Sequence, residues 1–548
     1  MEKVRRIVLN VSVAALVIIY ISLFANKVVK TDGYYGDSLR HMIRVNILAG
    51  SLKKTLTSGN VSFENVVRLV TSPIGPVGKK PLFIGLASYV NLIFRQFGIS
   101  YPMAPLCAIN LFSILAIGIL MYFILKANFS RFAGLVSVTM LFTNFDIFYN
   151  ALYGYHTVFG FALIFWAFFI DFGKNAGKVI SDFFIGLLYS LSLVASTHCM
   201  PALIVLFPIK VLDILLDKRP WPRLRRIIFF ALGSALPFAY ILLVDFLRRL
   251  VNFKYVSFFA EFTKQGEGAL YWGGGIPLQP FYFFKFYFRA ESVLFAAFLA
   301  LSFMLVPFFY FGMSGRKRLI TLSLWTIGAS TYAIFTFGHF PAIAKIFQPI
   351  SIVGCGLIGI VFFMLYESAL PKFKRLVVLA IFAVLCSQAI NFAHKYDIWI
   401  RHRFNTDWKD ANFKGFFVVK SDQIDLKKLR ELYDTCKGRN VNTSKILIQL
   451  SSSFKFGHHT FSGNCFLEEY IAYLMLSGLK PYAVTKREFI VNDVYQNEYF
   501  NYFLVQNSDY GHFKDYAFMQ NFPWDKIYSF RLSDIVEYDK RLKKPLLN

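Results

Sequence analysis

Acidic side chains are scarce in this sequence, and so are charged side chains in general. Its 548 residues include 32 Asp and Glu against 59 Lys and Arg, and only 17% of all residues are charged. By contrast, 56% are hydrophobic and the mean hydropathy is +0.49. A soluble domain could not hide so much apolar surface from water. Apolar runs of about 20 residues recur along most of the chain, which predicts a mainly α-helical, polytopic membrane protein.

The shortage of acid leaves a formal net charge of +27. In a soluble protein, such an excess of positive charge would point to nucleic acid. Here no basic helix and no groove of stacking aromatic residues stands apart from the apolar runs, so the sequence does not favour a nucleic-acid partner. The excess is typical of cytoplasmic loops and of contact with anionic membrane lipids.

Cysteine is also rare, with six residues in the chain, four of them in apolar runs. The other two, Cys436 and Cys465, belong to the polar tail. They would form a disulfide if the tail lies outside the cytosol, and a pair of buried reduced thiols is the alternative. Both alternatives stay open. The tail contains no nucleophile elbow, P-loop or CxxC motif, and the whole chain shows no internal repeat.

The apolar runs predict eleven membrane-spanning helices. The first follows the basic start MEKVRR and lacks a convincing cleavage site. We therefore interpret it as a retained helix with a cytoplasmic amino end rather than as a signal peptide. The predicted spans are 7–26, 102–125, 131–150, 154–171, 179–197, 199–216, 225–250, 286–313, 318–338, 344–367 and 374–394.

Residues 81–98 are apolar, but we predict that they do not span the membrane. If they do not, five short basic loops fall on the same side as the basic amino end, as the positive-inside rule requires. Arg95 within the segment also disfavours full burial in lipid. We therefore expect an interfacial helix in the outer leaflet. The five loops hold Lys126 and Arg131, Lys174 and Lys178, Lys218 to Arg226, Arg316 to Arg318, and Lys372 to Arg375.

This topology places two long segments outside the cell membrane. Residues 27–101 form the first external loop of a transmembrane domain that covers 1–395, and residues 396–548 form an external domain. In that domain the alternation in KILIQLSSSF predicts a strand. LEEYIAYLMLSGLKPYAV predicts a helix followed by a strand, and LKKLRELYDTCKGRN predicts an amphipathic helix. We expect a small α/β domain that covers the site or touches the acceptor.

Many basic residues also fall on the external side, where the positive-inside rule does not predict them. Long loops are exempt from that rule, which is one explanation. The other is a site for an anionic group, such as a lipid phosphate at the level of the outer headgroups. The residues are Lys53, Lys54, Lys79, Lys80, Arg248, Arg249, Lys254, Lys285, Arg289 and Lys345.

The stretch TDGYYGDSLRHMIRV, with two aspartates in its first seven residues, follows the first span directly. The helix that it begins ends in Ile47-Leu48-Ala49-Gly50, and Lys80-Pro81-Leu82 opens the interfacial helix. SRFAGLVSVTMLFTNFDIFYNALYGYHTVFGF, SLSLVASTHCMPALIVLFP and Lys345-Ile346-Phe347-Gln348-Pro349 follow in that order. The order and sidedness of these elements, over roughly residues 1–395, resemble the membrane-embedded glycosyltransferases of the GT-C fold. The likeness is to the branch that contains the lipid A aminoarabinose transferases and the protein O-mannosyltransferases.

The resemblance implies an enzyme that moves a sugar from a polyprenyl phosphate to a glycan, lipid or protein acceptor. The site would lie at the periplasmic face of a bacterial inner membrane. Asp37 is then the candidate base that takes the acceptor proton, and Asp32 is the second candidate. Their structural alternatives are a helix cap and a turn. Lys80, Lys345 and Arg289 are implied ligands of the donor phosphate.

Four further residues of the matching elements are candidates for substrate contact: Arg40, His41, His156 and His198. His156 stands where the family has an acid, and His198 stands where it has a lysine. Ser38 follows the predicted base where the family often has a glutamate. We therefore do not expect this chain to use the family's mechanism with two acids, whether those acids act alone or around a metal. No histidine spacing favours a metal site, so a divalent metal cofactor is unsupported.

The external loop 255–280 adds three candidates for substrate contact, Glu267, Tyr271 and Trp272, beside three consecutive glycines. Aromatic rings stack on sugar faces, and glycines let a loop move as a lid. The alternative is an aromatic belt at the membrane interface with a flexible turn.

Three other functions stay open. A transporter or flippase for lipid-linked sugars would show similar halves with broken helices at the midplane, whereas the charges here cluster at outer helix ends. A polysaccharide polymerase or ligase would use a lipid diphosphate donor. A non-catalytic relative is the third alternative, because the second acid of the family is missing.

Overall fold

The structure is a computed structural model, and it describes most helices, six strands and some of the turns between them. The described residues are 14–26, 37–57, 62–64, 67, 80–99, 103–152, 154–173, 177–216, 220–251, 287, 290–313, 315–337, 344–401, 446–449, 453–456, 459–462, 482–484, 502–506 and 527–530.

Helices make up nearly all of the described chain before residue 402. In chain order they are α1 (Ala14–Asn26), α2 (Asp37–Thr57), α3 (Pro81–Gln96), α4 (Ala104–Asn128), α5 (Arg131–Phe142), α6 (Phe145–Leu152), α7 (Thr157–Phe172), α8 (Val179–Ala195), α9 (Met200–Leu215), α10 (Pro220–Leu250), α11 (Val293–Tyr310), α12 (Gly315–Phe337), α13 (Ala344–Ser368) and α14 (Pro371–Arg401). A 3-10 turn, Thr197–Cys199, joins α8 to α9. Each of the eleven apolar segments predicted from the sequence overlaps at least one of these helices.

Several of these helices are long and apolar enough to cross a membrane. Within the described ranges there are six, namely α4, α9 with its preceding turn, α10, α11, α13 and α14. The bent pair α5 and α6 makes a seventh if it counts as one span, and α1, α7 and α8 are apolar but shorter. The chain is therefore a multi-pass helical membrane protein, as predicted. The total of eleven spans stays a prediction, and so does the interfacial position of α3.

Helix α13 lies inside the bundle, and α14 lies at its edge. Of the most apolar window of each helix, 78% is buried in α13 and 22% in α14. Helix α13 contacts α5, α11 and α12 directly. Helices α8 and α10 approach each other at two glycines, because a Cβ atom at Gly186 or Gly233 would overlap a backbone carbonyl oxygen of the other helix. Small residues at such a crossing are typical of helix packing in membranes.

The chain divides into two compact units, 1–29 with 47–401 and 30–46 with 402–548. Six strands are described in the second unit: β1 (Ile446–Gln449), β2 (Ser453–Phe456), β3 (His459–Ser462), β4 (Tyr482–Val484), β5 (Tyr502–Gln506) and β6 (Ile527–Phe530). Four form a parallel sheet in the order β4-β1-β5-β6, and β2 pairs antiparallel with β3. Strands β1 and β4 lie in segments where the sequence predicts strands. The predicted helices of this tail lie outside the described residues, so the α/β assignment stays a prediction.

Candidate functional site

Lys80 begins α3 in a strained backbone conformation. Its φ of 56° and ψ of 49° are left-handed, and no other described non-glycine residue has a positive φ. A residue with a Cβ atom adopts this conformation at a cost of about 1–2 kcal/mol. Lys80 is also buried, although the partial positive charge of a helix N-terminus disfavours a cation there. A backbone outlier of this kind marks Lys80 as a candidate for a functional role.

Arg248 is a second buried cation near the start of α3. Leu82, two residues after Lys80, packs on a cluster that includes Val244 of α10. Arg248 follows Val244 by four residues and therefore lies on the same face of that helix. Only 4% of Arg248 is exposed. In the sequence, Arg248 is one of the external basic residues for which a lipid-phosphate site is one of the two explanations.

Two histidines form a polar pair at the start of α7. The rings of His156 and His198 lie 5.0 Å apart, measured between centroids. His156 Nδ1 hydrogen-bonds to the Ser196 hydroxyl at 2.7 Å, and His198 Nδ1 hydrogen-bonds to the Thr157 hydroxyl at 2.8 Å. The two residues are 42 positions apart in sequence, but α7 and the 3-10 turn bring them together.

The His156 ring connects this pair to α3. The Phe83 ring lies 6.1 Å from the His156 ring, edge to face. Phe83 is three residues after Lys80, one helical turn along α3. The structure thus brings Lys80 and the histidine pair, both predicted from the sequence, to the same end of the bundle.

Gln348 is a buried amide in the first turns of α13. It is fully buried, and neither its side-chain nitrogen nor its oxygen hydrogen-bonds to any described residue. Helix α13 contacts both α7 and the 3-10 turn that carries His198. A buried amide without a partner costs about 1–3 kcal/mol, which a substrate hydroxyl or phosphate oxygen would recover.

The predicted span 131–150 is broken in the structure, and a buried glutamate stabilises the break. Helices α5 and α6 meet at an angle of 50°. The Glu291 carboxylate accepts hydrogen bonds from the backbone N–H groups of Phe145 at 3.3 Å and Asp146 at 2.8 Å. The Asn144 side chain accepts from the N–H of Ile147 at 2.9 Å. These acceptors satisfy the first three N–H groups of α6, which a new helix leaves without partners.

Asp146 extends this cap into a buried polar network. Its carboxylate accepts from the Asn150 amide at 2.7 Å and from the Ser351 hydroxyl at 2.8 Å. Ser351 also contacts the Tyr287 hydroxyl at 2.7 Å, and the Gln388 amide donates to Glu291. The network joins α6, α13, α14 and the segment before α11. It fixes the chain that leads from α6 to His156.

Glu291 is the carboxyl group of the network that lies outside the spanning helices, two residues before α11. Burial raises the pKa of its carboxyl from the ordinary 4.5 to about 7, although the Lys395 ammonium opposes this shift. The backbone N–H donors and Gln388 also oppose it. The group therefore changes charge near neutral pH.

For the other predicted site residues, the structure describes either the backbone position alone, the burial of the side chain, or nothing. Asp37 is the first residue of α2, Arg40 lies in that helix, and Lys345 lies in α13, but their side chains are outside the described part. His41 of α2 is buried. These roles stay predictions, and the remaining candidates lie outside the described residues: Asp32, Glu267, Tyr271, Trp272 and Arg289, together with Cys436 and Cys465.

No metal centre is found in the described ranges, because no group of three or more His, Cys, Asp or Glu side chains there could hold an ion. The residues that the sequence analysis missed are Glu291, Asp146, Gln348 and Gln388. All four are polar residues in or next to apolar segments, which is the signal that would have found them.

The described helices have the arrangement of the membrane glycosyltransferases of the GT-C fold, which the sequence predicted. The chain is similar to ArnT from Cupriavidus metallidurans, an aminoarabinose transferase, in the structure bound to undecaprenyl phosphate. That match has a TM-score of 0.52 and 11% identity, over 88% of this chain and 88% of that chain.

Two further solved structures are similar. ArnT in the apo state matches with a TM-score of 0.48 and 11% identity, over 87% of this chain and 85% of that chain. The archaeal oligosaccharyltransferase AglB from Archaeoglobus fulgidus, in complex with an inhibitory peptide and a dolichol-phosphate, matches with a TM-score of 0.47. That match has 11% identity over 86% of this chain and 64% of AglB. No protein-family model and no curated protein matches the sequence.

Proposed function

We propose that the protein is a glycosyltransferase that moves a sugar from a polyprenyl-phosphate donor to a glycan, lipid or protein acceptor at the outer face of a bacterial inner membrane. The observation that carries the proposal is the gathering of buried Lys80, Arg248 and the His156–His198 pair at one end of a GT-C bundle. The similar ArnT structure holds undecaprenyl phosphate, which supports this class of donor.

The two buried cations suit the leaving group of this reaction. When the bond between the anomeric carbon and the phosphate oxygen breaks, negative charge grows on the polyprenyl phosphate. Lys80 and Arg248 would neutralise that charge, and the N-terminus of α3 adds its partial positive charge. Because both side chains are buried, water screens their attraction to phosphate only weakly. Predicted ligands Lys345 and Arg289 would add to this group.

The neutral polar groups suit the sugar. His156, His198 and the hydroxyls that hold them offer donors and acceptors in a fixed geometry, and the amide of Gln348 offers one of each. Such groups recognise a pattern of hydroxyls rather than a charge. We assign the two histidines and Gln348 to donor or acceptor binding and not to proton transfer.

A carboxylate must take the proton of the acceptor hydroxyl or amine while the new bond to the anomeric carbon forms. Asp37 is our candidate for this base, and Asp32 is the second. The long loop that holds them precedes Lys80 in the chain, as the resemblance to the transferase family implies. Glu267, Tyr271 and Trp272 remain candidates for contact with the acceptor or the sugar.

The test is sugar transfer by purified protein in lipid, with a panel of polyprenyl-phosphate sugars and a membrane glycolipid extract as acceptor. We expect Asp37→Asn to abolish transfer, while Glu64→Gln, which removes an exposed carboxyl of the same loop, leaves it unchanged. Thermal unfolding of each variant checks that the fold is retained.

Each other result has a definite meaning. Loss of transfer in Asp32→Asn with normal transfer in Asp37→Asn would move the role of base to Asp32 and leave Asp37 as a helix cap. If the wild type transfers no sugar with any donor but moves a lipid-linked sugar across vesicles, the protein is a flippase and the proposal is wrong.

A further inference from the structure

A second polar site lies at the opposite end of the same bundle, where the sequence predicts the cytoplasmic face. It is a pocket of about 220 Å³ between the ends of α7, α8, α9, α10 and α12. Two carboxylates, three cations, a tyrosine and a serine line it: Asp171, Asp213, Lys210, Arg226, Arg316, Tyr189 and Ser323. A third carboxylate, Asp182, is fully buried behind Lys210 and Arg226. The function proposed above uses none of these residues.

Lys210 is the centre of an ion-pair cluster in this pocket. Its ammonium, which is almost fully buried, contacts all three carboxylates, with distances of 2.9 Å to Asp182 and 3.3 Å to Asp213. Arg226 pairs with Asp182 at 2.8 Å and with Asp213 at 3.3 Å. Three carboxylates therefore share two cations, so the cluster carries one negative charge in excess when all groups are ionised.

Two carboxylate oxygens of the residues that line the pocket make no ion pair with any described residue. Asp171 pairs through Oδ1 and Asp213 pairs through Oδ2, which leaves Asp171 Oδ2 and Asp213 Oδ1. An excess negative charge with open acceptors suits a ligand that brings a positive charge and several N–H donors. A primary ammonium has three such donors.

Arg316 adds a positive charge to the pocket, opposite in sign to the excess charge of the ion-pair cluster. It is exposed at the start of α12, lines the pocket, and makes no ion pair with the part of the chain that the structure describes. Its guanidinium suits a phosphate that is attached to the ammonium of the ligand. The volume also fits, because water takes about 30 Å³ per molecule and the pocket would hold several waters or one small headgroup.

The surroundings indicate a lipid rather than a soluble amine. Leu212 of α9 and Leu216, the first residue after that helix, lie on either side of Asp213 in sequence, and they are 58% and 79% exposed. Exposed leucines on a membrane helix face acyl chains, so a lipid whose chains lie on them would have its headgroup at the mouth of the pocket.

We propose that this pocket binds the headgroup of an aminophospholipid from the inner leaflet. The ammonium would bind Asp171 and Asp213, and the phosphate would bind Arg316. A choline headgroup carries the same charges, but its trimethylammonium has no N–H to donate and is larger. The site therefore discriminates ethanolamine from choline. This inference does not depend on the catalytic function of the other end.

The test titrates delipidated protein with phosphatidylethanolamine and with phosphatidylcholine of the same acyl chains, and it measures bound lipid by native mass spectrometry. We expect the wild type to prefer ethanolamine by about tenfold or more, as the loss of charge-assisted hydrogen bonds to choline implies. Asp213→Asn and Arg316→Gln should lower binding of the ethanolamine lipid, and Asp213→Asn should remove the preference.

Lys317→Gln is the matched control. Lys317 is exposed and adjacent to Arg316, but its ammonium lies over the rings of Phe129 and Phe363 and does not line the pocket. The Lys317→Gln variant should bind both lipids as the wild type does. Arg316→Gln removes no ion pair among the described residues, so this variant should fold even if Asp213→Asn does not.

Three results would overturn the inference. The first is equal binding of the two lipids by the wild type. The second is normal binding of the ethanolamine lipid by Arg316→Gln. The third is soluble glycerophosphoethanolamine binding as tightly as the lipid, because the pocket would then be a site for a soluble amine.

Discussion

At the scale of single residues, Lys80 shows that the site and the stability of the fold make opposite demands. Its left-handed backbone is the conformation that glycine adopts most readily, and its charge repels the helix N-terminus that it begins. Both costs fall on one buried residue.

We expect Lys80→Gly to abolish sugar transfer and to unfold at a higher temperature than Lys80→Ala. Glycine releases about 1 kcal/mol of backbone strain, whereas Lys80→Ala keeps the Cβ atom and the strain. Thermal unfolding should therefore rank glycine above alanine, while both variants lose binding of the donor phosphate. Normal transfer by Lys80→Gly would show that the Lys80 ammonium does not bind the donor.

Gln348 is an uncharged residue at which the candidate site and the stability of the fold also make opposite demands. Its amide has no hydrogen-bond partner among the described residues, so Gln348→Leu should raise the free energy of unfolding of the unliganded protein by about 1–3 kcal/mol and weaken substrate binding. Gln388→Leu is the contrasting variant, because that amide is hydrogen-bonded to Glu291, to the Thr143 carbonyl and to the Ser292 N–H.

Denaturation in detergent and the KM for the donor measure the two effects. Gln388→Leu should lower stability, since it leaves buried partners unsatisfied. If Gln348→Leu destabilises the protein as much as Gln388→Leu does, the Gln348 amide has a structural role and does not contact substrate.

At the scale of elements, the break between α5 and α6 positions one side of the site. A continuous helix over 131–150 would carry the chain straight on, whereas the 50° bend turns it toward the start of α7 and His156. Glu291 makes this bend stable by capping α6 with its carboxylate. The acid is 145 residues away in sequence, so the span pattern alone could not predict the bend.

The Glu291 cap makes stability depend on pH. Between pH 4.5 and about 7, the folded state keeps a proton on Glu291 that the unfolded state has released. The free energy of unfolding therefore falls as pH rises through this range, by up to about 1.4 kcal/mol per pH unit.

Glu291→Gln removes this titration. We expect the difference in midpoint temperature between wild type and Glu291→Gln to shift with pH between about 5 and 7, to the disadvantage of the wild type at the upper end. Asp182→Asn, at the other end of the bundle, is the reference for general effects of a lost buried acid. A difference that stays constant over this range would mean that Glu291 does not change charge there.

At the scale of the whole molecule, charge orients the bundle. The loops before α5, α10, α12 and α14 are basic, and they alternate with loops that carry the candidate site. The positive-inside rule therefore predicts that the aminophospholipid pocket and the candidate transferase site face opposite sides of the membrane.

Two single cysteines test this topology in a background in which Cys436 and Cys465 are replaced by serine. The four remaining cysteines are buried or half-buried. Phe97→Cys, at the exposed end of α3, should react with an impermeant thiol reagent in intact cells. Lys317→Cys should react only after the membrane is permeabilised. The reverse result would show that the bundle has the opposite orientation, and labelling of both in intact cells would show that the parity argument fails.

The sequence by itself determined the class of the protein and the approximate positions of its apolar helices. Apolar runs reveal burial in lipid because hydropathy is a property of each residue, and the same holds for the basic loops that orient the chain. It also indicated Lys80, His156 and His198 through a resemblance in the order of motifs. Strand β1 was predicted from local alternation in the tail, and β4 was predicted from its place after a helix and a glycine turn.

Only the tertiary structure decided which polar side chains meet. Glu291 caps a helix far away in sequence, and Lys210 contacts carboxylates from α7, α8 and α9. Arg248 shares a helix face with Val244, a member of the cluster on which Leu82 packs. The physical reason is that a polar residue in a low-dielectric interior is stable only with partners, and helix packing selects those partners. Periodicity shows that such a residue is buried, but it carries no information about which helix lies opposite.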